Sequence, residues 1–276
     1  MVYGGNRGNL IYYMQNIKIS RIGIGDLILL SSELIFKNKT NNCFSINQDL
    51  LNTYKSKDAH GYKSFVKALM TKFFQGYNIS FSDDQTFPTM EFNWEIIQKA
   101  IREKRISDHF KSIFSHNETP SYEYYCIMSK VRSFPRNEFD LIKSDFFKII
   151  NKKNVKLIVL GEKEIEYGPE YQVYGNSMIY SIYKDIMESV NPNLIVDMTV
   201  PKLGETTPNI NNIIKDMAII KNSKKALVFG HGGFFCTTLF THKLCAIIEK
   251  RIIENEIPNE INKQVFITRN SFLEAV

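Results

Sequence analysis

The chain has 276 residues, 43% of them hydrophobic and 13% aromatic, so it is too apolar for a disordered chain and long enough for two compact domains or one large one without disulfide or metal staples. Lys and Arg (35) exceed Asp and Glu (29) for a net charge of +6, a mild and scattered excess that argues against a nucleic-acid partner and suits an anionic small substrate such as a nucleotide. No apolar run reaches the roughly 18 residues of a membrane span, the start Met1-Val2-Tyr3-Gly4-Gly5 has no leader pattern, and the four cysteines lack zinc or redox spacing, so a cytoplasmic protein with free thiols is expected.

The chain opens on a glycine-punctuated segment, Gly4-Gly5-Asn6-Arg7-Gly8-Asn9, a candidate loop for a phosphate or acceptor. The β-branched run Ile17–Ile22 reads as a strand, Gly23-Ile24-Gly25-Asp26 as a turn, and Leu27–Phe36 as a helix. Residues 44–118 read mainly helical, with apolar residues at helical spacing from Tyr62 to Phe74 and from Trp94 to Phe114. The polar stretch His116–Ser121 is a candidate linker. It divides the chain into an acceptor-side domain at 1–118 and a nucleotide-sugar-binding domain at 119–276.

After the linker, short apolar strands alternate with helices. Strands are expected at Tyr124–Met128, Lys156–Leu160, Leu194–Asp197, Ala226–Phe229, Cys245–Ile248 and Val265–Ile267. Helices are expected at Phe139–Ile150, Ser181–Val190, Asn209–Ile220 and Phe234–Thr241. Continuous apolar strands between helices imply a parallel sheet covered on both faces, the α/β class with Rossmann-like units.

Four constellations fall at the carboxyl ends of expected strands, the edge where open α/β sheets bind ligands. In Arg21-Ile22-Gly23-Ile24-Gly25-Asp26, Asp26 either caps its helix or acts as a general base toward a sugar hydroxyl. In Gly230-His231-Gly232-Gly233, three glycines let backbone N–H groups approach a phosphate, with His231 as a further donor; the alternative is a tight turn that serves packing. Lys130, Arg132 and Arg136 follow the first strand of the second half in a basic turn, and either neutralise a leaving diphosphate or form a solvated loop. Glu162 and Glu164 follow the next strand and either receive ribose hydroxyls or belong to a charged surface loop. No D-x-D motif accompanies them, so no metal and no cofactor beyond a nucleotide-sugar co-substrate is expected.

Arg21-Ile22-Gly23-Ile24-Gly25-Asp26-Leu27-Ile28-Leu29 resembles the N-terminal G-D turn of the ADP-heptose:lipopolysaccharide heptosyltransferase family, and Asp216 to Thr238 resembles that family's late nucleotide-diphosphate motif. Where the family usually carries D-[ST]-G-x-x-H, this chain carries Gly230-His231-Gly232-Gly233. The resemblance implies a GT-B fold of two Rossmann-like domains, here with a short first domain. It implies Asp26 as catalytic base, Gly230, Gly232 and Gly233 with His231 at the diphosphate, and Lys130 or Arg132 as the phosphate-binding cation. The activity it implies is inverting, metal-independent transfer of a sugar from a nucleotide-diphosphate donor to a glycan or other hydroxyl acceptor. A pyruvyl transferase, an epimerase or a non-catalytic nucleotide-sugar-binding module remain open on the same residues.

Overall fold

The computed structural model describes residues 14–39, 41–54, 59–132, 136–164, 179–202, 209–229 and 233–241. Its first strand, β1 (Gln15–Ile19), buries Ile17 and Ile19 and ends before the expected Ile22. Its neighbour stops level with it, at Ile46, so Ser20–Gly23 has no ladder to join and becomes a loop. Helix α1 (Ile24–Phe36) begins earlier than expected, and the Leu27 N–H closes the first helical bond on the Gly23 carbonyl at 3.0 Å.

Residues 44–118 are less purely helical than expected. Strands β2 (Asn41–Ile46) and β3 (Asn78–Ser82) join β1 in a parallel sheet of order β1-β2-β3. Both are short, and the helices between them, α2 (Gln48–Tyr54) and α3 (Ala59–Phe73), dominate the apolar spacing. Phe44 of β2 anchors the sheet against Phe74 and Phe81, at ring separations of 5.4 and 6.1 Å. The pattern from Trp94 to Phe114 is two helices, α4 (Trp94–Arg102) and α5 (Lys104–Ile113). Extended Glu103 (ψ 114°) separates them; its N–H bonds back to Lys99 and Ala100, and its carbonyl accepts from Ile106 and Ser107.

The second half runs β4 (Tyr124–Arg132), α6 (Arg136–Lys153), β5 (Lys156–Leu160), β6 (Glu162–Glu164), β7 (Ile179–Ser181), α7 (Tyr183–Ser189), a 3-10 turn (Pro192–Leu194), β8 (Ile195–Asp197), β9 (Val200–Lys202), α8 (Ile210–Asn222), β10 (Lys225–Phe229) and α9 (Gly233–Thr241). The main sheet has the parallel order β10-β4-β5-β8, with β7 antiparallel on β4 and a separate β6–β9 pair. Along β4, Tyr124, Cys126 and Met128 face one core, while Tyr125 and Ile127 face another with Phe146, Phe147 and Ile150. The sheet is thus buried on both faces, and the α/β class with parallel sheets is the fold observed. The expected strands at Cys245–Ile248 and Val265–Ile267 lie outside the described residues.

The larger core takes residues from both sides of position 118. Ile28 and Leu34 of α1, Phe110 and Phe114 of α5, Met217 of α8 and Phe235 and Phe240 of α9 all belong to it. Helix α9 is apolar nearly all round and buried from Phe235 to Thr241. The hydroxyls of Thr237, Thr238 and Thr241 donate to carbonyls of their own helix, so they are buried with their bonds made. Phe240 stacks 4.8 Å from Phe110, and its carbonyl accepts the Ser107 hydroxyl at 2.9 Å. Among the described residues no helix is long and apolar enough to cross a membrane.

Phe240→Ala removes the ring that joins α9 to α5 and is expected to cost about 3–5 kcal/mol. In urea unfolding, fluorescence of Trp94, the single tryptophan, and far-UV circular dichroism should fall to the same lowered midpoint. Separate midpoints would show that the shared core does not couple the two halves.

Candidate active site

The strand order brings the sequence motifs to one edge. β10, β4 and β5 are neighbours, so their carboxyl ends set the approach to Gly233, the Lys130–Arg132 stretch and Glu162 side by side. Helix α9 then leads back to the amino end of α1. A Cβ placed on Gly233 would stand 2.4 Å from Ile24 Cγ2 and 3.6 Å from the Gly25 nitrogen. The two glycine motifs, from opposite ends of the chain, therefore touch, and Asp26 is the next residue along α1. Gly230, His231 and Gly232 lie outside the described residues, as does the Gly4–Asn9 segment.

Asp26 sits in the first turn of α1, where unpaired N–H groups favour a carboxylate. Its side chain is 35% exposed and folds back over the start of the helix. Asp26 Oδ2 lies 2.7 Å from where a Gly23 Cβ would be. The Gly23 backbone (φ −68°, ψ 146°) is open to any residue, so here glycine supplies room rather than conformation. Gly25 is buried at the contact with α9. Arg21 Nη1 stands 4.0 Å from Asp26 Oδ1, and its guanidinium lies 4.9 Å from the Phe92 ring. Buried Tyr62 donates to the Ile22 carbonyl at 3.2 Å; burial, with the Asp26 charge adding to it, pushes its phenol up to about 12.

Lys130 and Arg132, expected in a turn, lie instead in β4. Strand β7 folds antiparallel onto that end and gives the ladder a partner, Lys130 opposite Ser181 and Arg132 opposite Ile179. Lys130 Nζ stands 3.2 Å from Glu162 Oε1. Two groups singled out separately in the sequence thus form one ion pair. The Glu162 side chain is 1% exposed, its Oε2 has no hydrogen-bond partner among the described residues, and its backbone carbonyl accepts the Ser129 and Ser181 hydroxyls. Burial pushes the Glu162 carboxyl up, and the Lys130 ammonium pulls against that. Gly161, before it, has φ +94°, and a Cβ there would meet Ser129 Oγ at 2.8 Å. Glu164 is opposite Lys202 in the β6–β9 pair.

Sequence reasoning passes over a second cluster at this edge. Asp197, ending β8, accepts the Thr199 N–H and hydroxyl at 3.0 and 2.6 Å and the Tyr183 hydroxyl at 2.7 Å, and pairs with Lys163 at 2.9 Å. Partial burial raises its carboxyl, but these donors outweigh that and hold it well below the usual range. The β5–β8 and β6–β9 pairings and the packing of α7 bring these residues together, so no local spacing announces them. On α8, burial pushes the mostly buried Asp216 carboxyl up to about 7, against an opposing pull from Lys215. Among the described residues no group of three His, Cys, Asp or Glu side chains is placed to hold a metal ion.

No protein-family model matches the sequence, and no curated protein matches it. Among solved structures, the E. coli heptosyltransferase WaaC with ADP aligns with 95% of this chain and 98% of its own at 8% identity and a TM-score of 0.45. WaaC with ADP-2-deoxy-2-fluoro heptose aligns over the same shares at 9% identity and a TM-score of 0.42. The dodecameric iron-containing heptosyltransferase TibC, in complex with ADP-D-beta-D-heptose, aligns with 85% of this chain at 9% identity and a TM-score of 0.40, and this chain spans 57% of its length. At these scores the likeness is one of general chain path, and the chemistry rests on the site's own geometry.

Alanine at the two glycines should act differently. Gly23→Ala meets only the mobile end of Asp26, so it should displace the carboxylate at a stability cost under about 1 kcal/mol. Gly233→Ala meets Ile24 close to the backbone and should cost about 1–3 kcal/mol. Urea titrations of both variants check the contrast. Asp216 holds a proton in the folded chain that the unfolded chain releases above about pH 4, so it lowers stability as pH rises from about 4 to about 7, and the loss levels off above that. Asp216→Asn should therefore be more stable than the parent by about 1–3 kcal/mol at pH 8, with the gain vanishing below about pH 4.

Proposed function

We propose that the chain is a glycosyltransferase that moves a sugar from a nucleotide-diphosphate donor to a hydroxyl of a glycan or other acceptor. The proposed reaction is cytoplasmic and inverting, with the diphosphate charge met by protein groups rather than a metal. The observation that supports this reading is the contact of Gly233 at the amino end of α9 with Ile24, two residues before Asp26 on α1. A base and an anion-binding helix end side by side are what attack at an anomeric carbon with loss of a diphosphate requires.

In the proposed step Asp26 accepts the proton of the acceptor hydroxyl while that oxygen bonds the anomeric carbon. The bond from that carbon to the diphosphate oxygen breaks, and the departing charge falls on the N–H groups of Gly230, Gly232 and Gly233, on His231 and on Lys130 or Arg132. Glu162 takes the ribose hydroxyls through Oε2, its oxygen without a partner among the described residues, and Glu164 adds a second acceptor. Lys130, already beside Glu162, opposes the upward push that burial gives that carboxyl and faces the phosphates with its remaining donors.

Thermal shift against a panel of UDP-, GDP-, ADP- and dTDP-sugars tests the donor site, because a ligand bound only by the folded chain raises its melting temperature. One nucleotide should raise Tm by several degrees, and Glu162→Gln should shrink that rise. Asp26→Asn should keep the rise and lower transfer of labelled sugar by about 10²–10⁴-fold. No rise with any nucleotide, or undiminished transfer by Asp26→Asn, would overturn the reading.

A further inference from the structure

Arg21 stands beside Asp26 in a defined place. Its side chain is 55% exposed and makes no hydrogen bond to another described residue, so two contacts define its position: the Phe92 ring at 4.9 Å and Asp26 Oδ1 at 4.0 Å. Phe92 is itself fixed. The next residue, Asn93, gives its N–H to Glu33 Oε2 at 3.0 Å and caps α4 by accepting the Ile96 N–H at 3.2 Å. Trp94 packs edge-on against Phe92 at 6.0 Å. Glu33 is fully buried on α1 and holds Lys37 with its other oxygen at 2.5 Å. The helix that bears Asp26 therefore also anchors the ring that positions Arg21.

We propose that Arg21, stacked on Phe92, is a positioning residue for Asp26, holding the carboxylate over the amino end of α1 and placing a positive charge beside it. The inference deepens the transferase reading, since it concerns the residue assigned there as base. Arg21 approaches from the β1–α1 loop and Tyr62 from α3; α4 packs on α1 with Glu95 and Lys99 paired to each other at 2.6 Å, and α9 brings only the buried thiol of Cys236. A guanidinium at this distance in a solvated setting changes a carboxylate by about 1 kcal/mol. The stack matters because it keeps a half-exposed side chain from sampling the solvent positions that would dilute the effect.

The test is ¹³C NMR titration of the Asp26 carboxyl in the full chain, assigned with Asp26→Asn. Arg21→Gln should raise its midpoint by about half to one pH unit. Phe92→Leu removes no charge and should move the midpoint in the same direction, by less. Arg21→Lys should recover part of the change. A midpoint unmoved in Arg21→Gln, or moved there and unmoved in Phe92→Leu, overturns the proposal. These readouts need no substrate: the expected shifts without transfer from any nucleotide sugar would sink the transferase reading and leave the positioning role supported. Where transfer is measured, the acid limb of its pH profile should move up in both variants.

Discussion

The close approach of α9 to α1 is the constraint on which the arrangement depends. Helix α9 follows the last described strand of the second sheet, yet it is buried against helices of the first half. Its apolar circumference leaves it no stable place at a surface. Burying it on α1, α5 and α8 together makes one core from two sheets. Gly233 sets how near the two helices come, because with any side chain there Ile24 would have to give way. Both helices start at carboxyl ends of parallel strands, so their contact also brings two ligand-binding edges face to face.

That geometry sets the amino end of α9 against Ile24 and Gly25, the first residues of α1, with Arg21 beside the Asp26 carboxylate at 4.0 Å. Gly23 admits the carboxylate to the position above its own helix end. Asp26 is the third residue of α1, behind its N-cap Gly23, and its carboxylate folds back over the helix start while 35% of the side chain stays open to solvent.

Much of the second half is legible in the sequence, since continuous runs such as Lys156–Leu160 and Lys225–Phe229 can be satisfied only between two covering layers. The first half is less so. β2 and β3 alternate polar and apolar residues over spans too short to outweigh α3, whose Tyr62, Phe65, Leu69 and Phe73 dominate the pattern. The break at Glu103 leaves a trace in the five-residue step from Ile101 to Ile106, which a 3.6-residue repeat does not contain. At the site, Asp26 and Glu162 stand out because each follows a strand and a glycine. Arg21 on Phe92, and Lys163 with Tyr183 and Asp197, do not, because they meet only through tertiary packing.

The Lys130–Glu162 pair illustrates how pairing alters the meaning of a motif. Read singly, Lys130 is a cation for phosphate and Glu162 an acceptor for hydroxyls. Paired at 3.2 Å, the lysine meets part of the cost of burying the carboxylate, which keeps an acceptor oxygen without a partner among the described residues. A buried acceptor left unpaired is a standing cost of about 1–3 kcal/mol that a donor from outside the chain can relieve. Gly161 enforces this arrangement, because its left-handed backbone and the nearby Ser129 hydroxyl leave no room for a side chain at the turn into β6. The energetic asymmetry of Glu162, one oxygen neutralised and one waiting, is therefore built by local backbone geometry and the β4–β5 pairing. It falls on the same sheet edge as the helix end that meets Ile24.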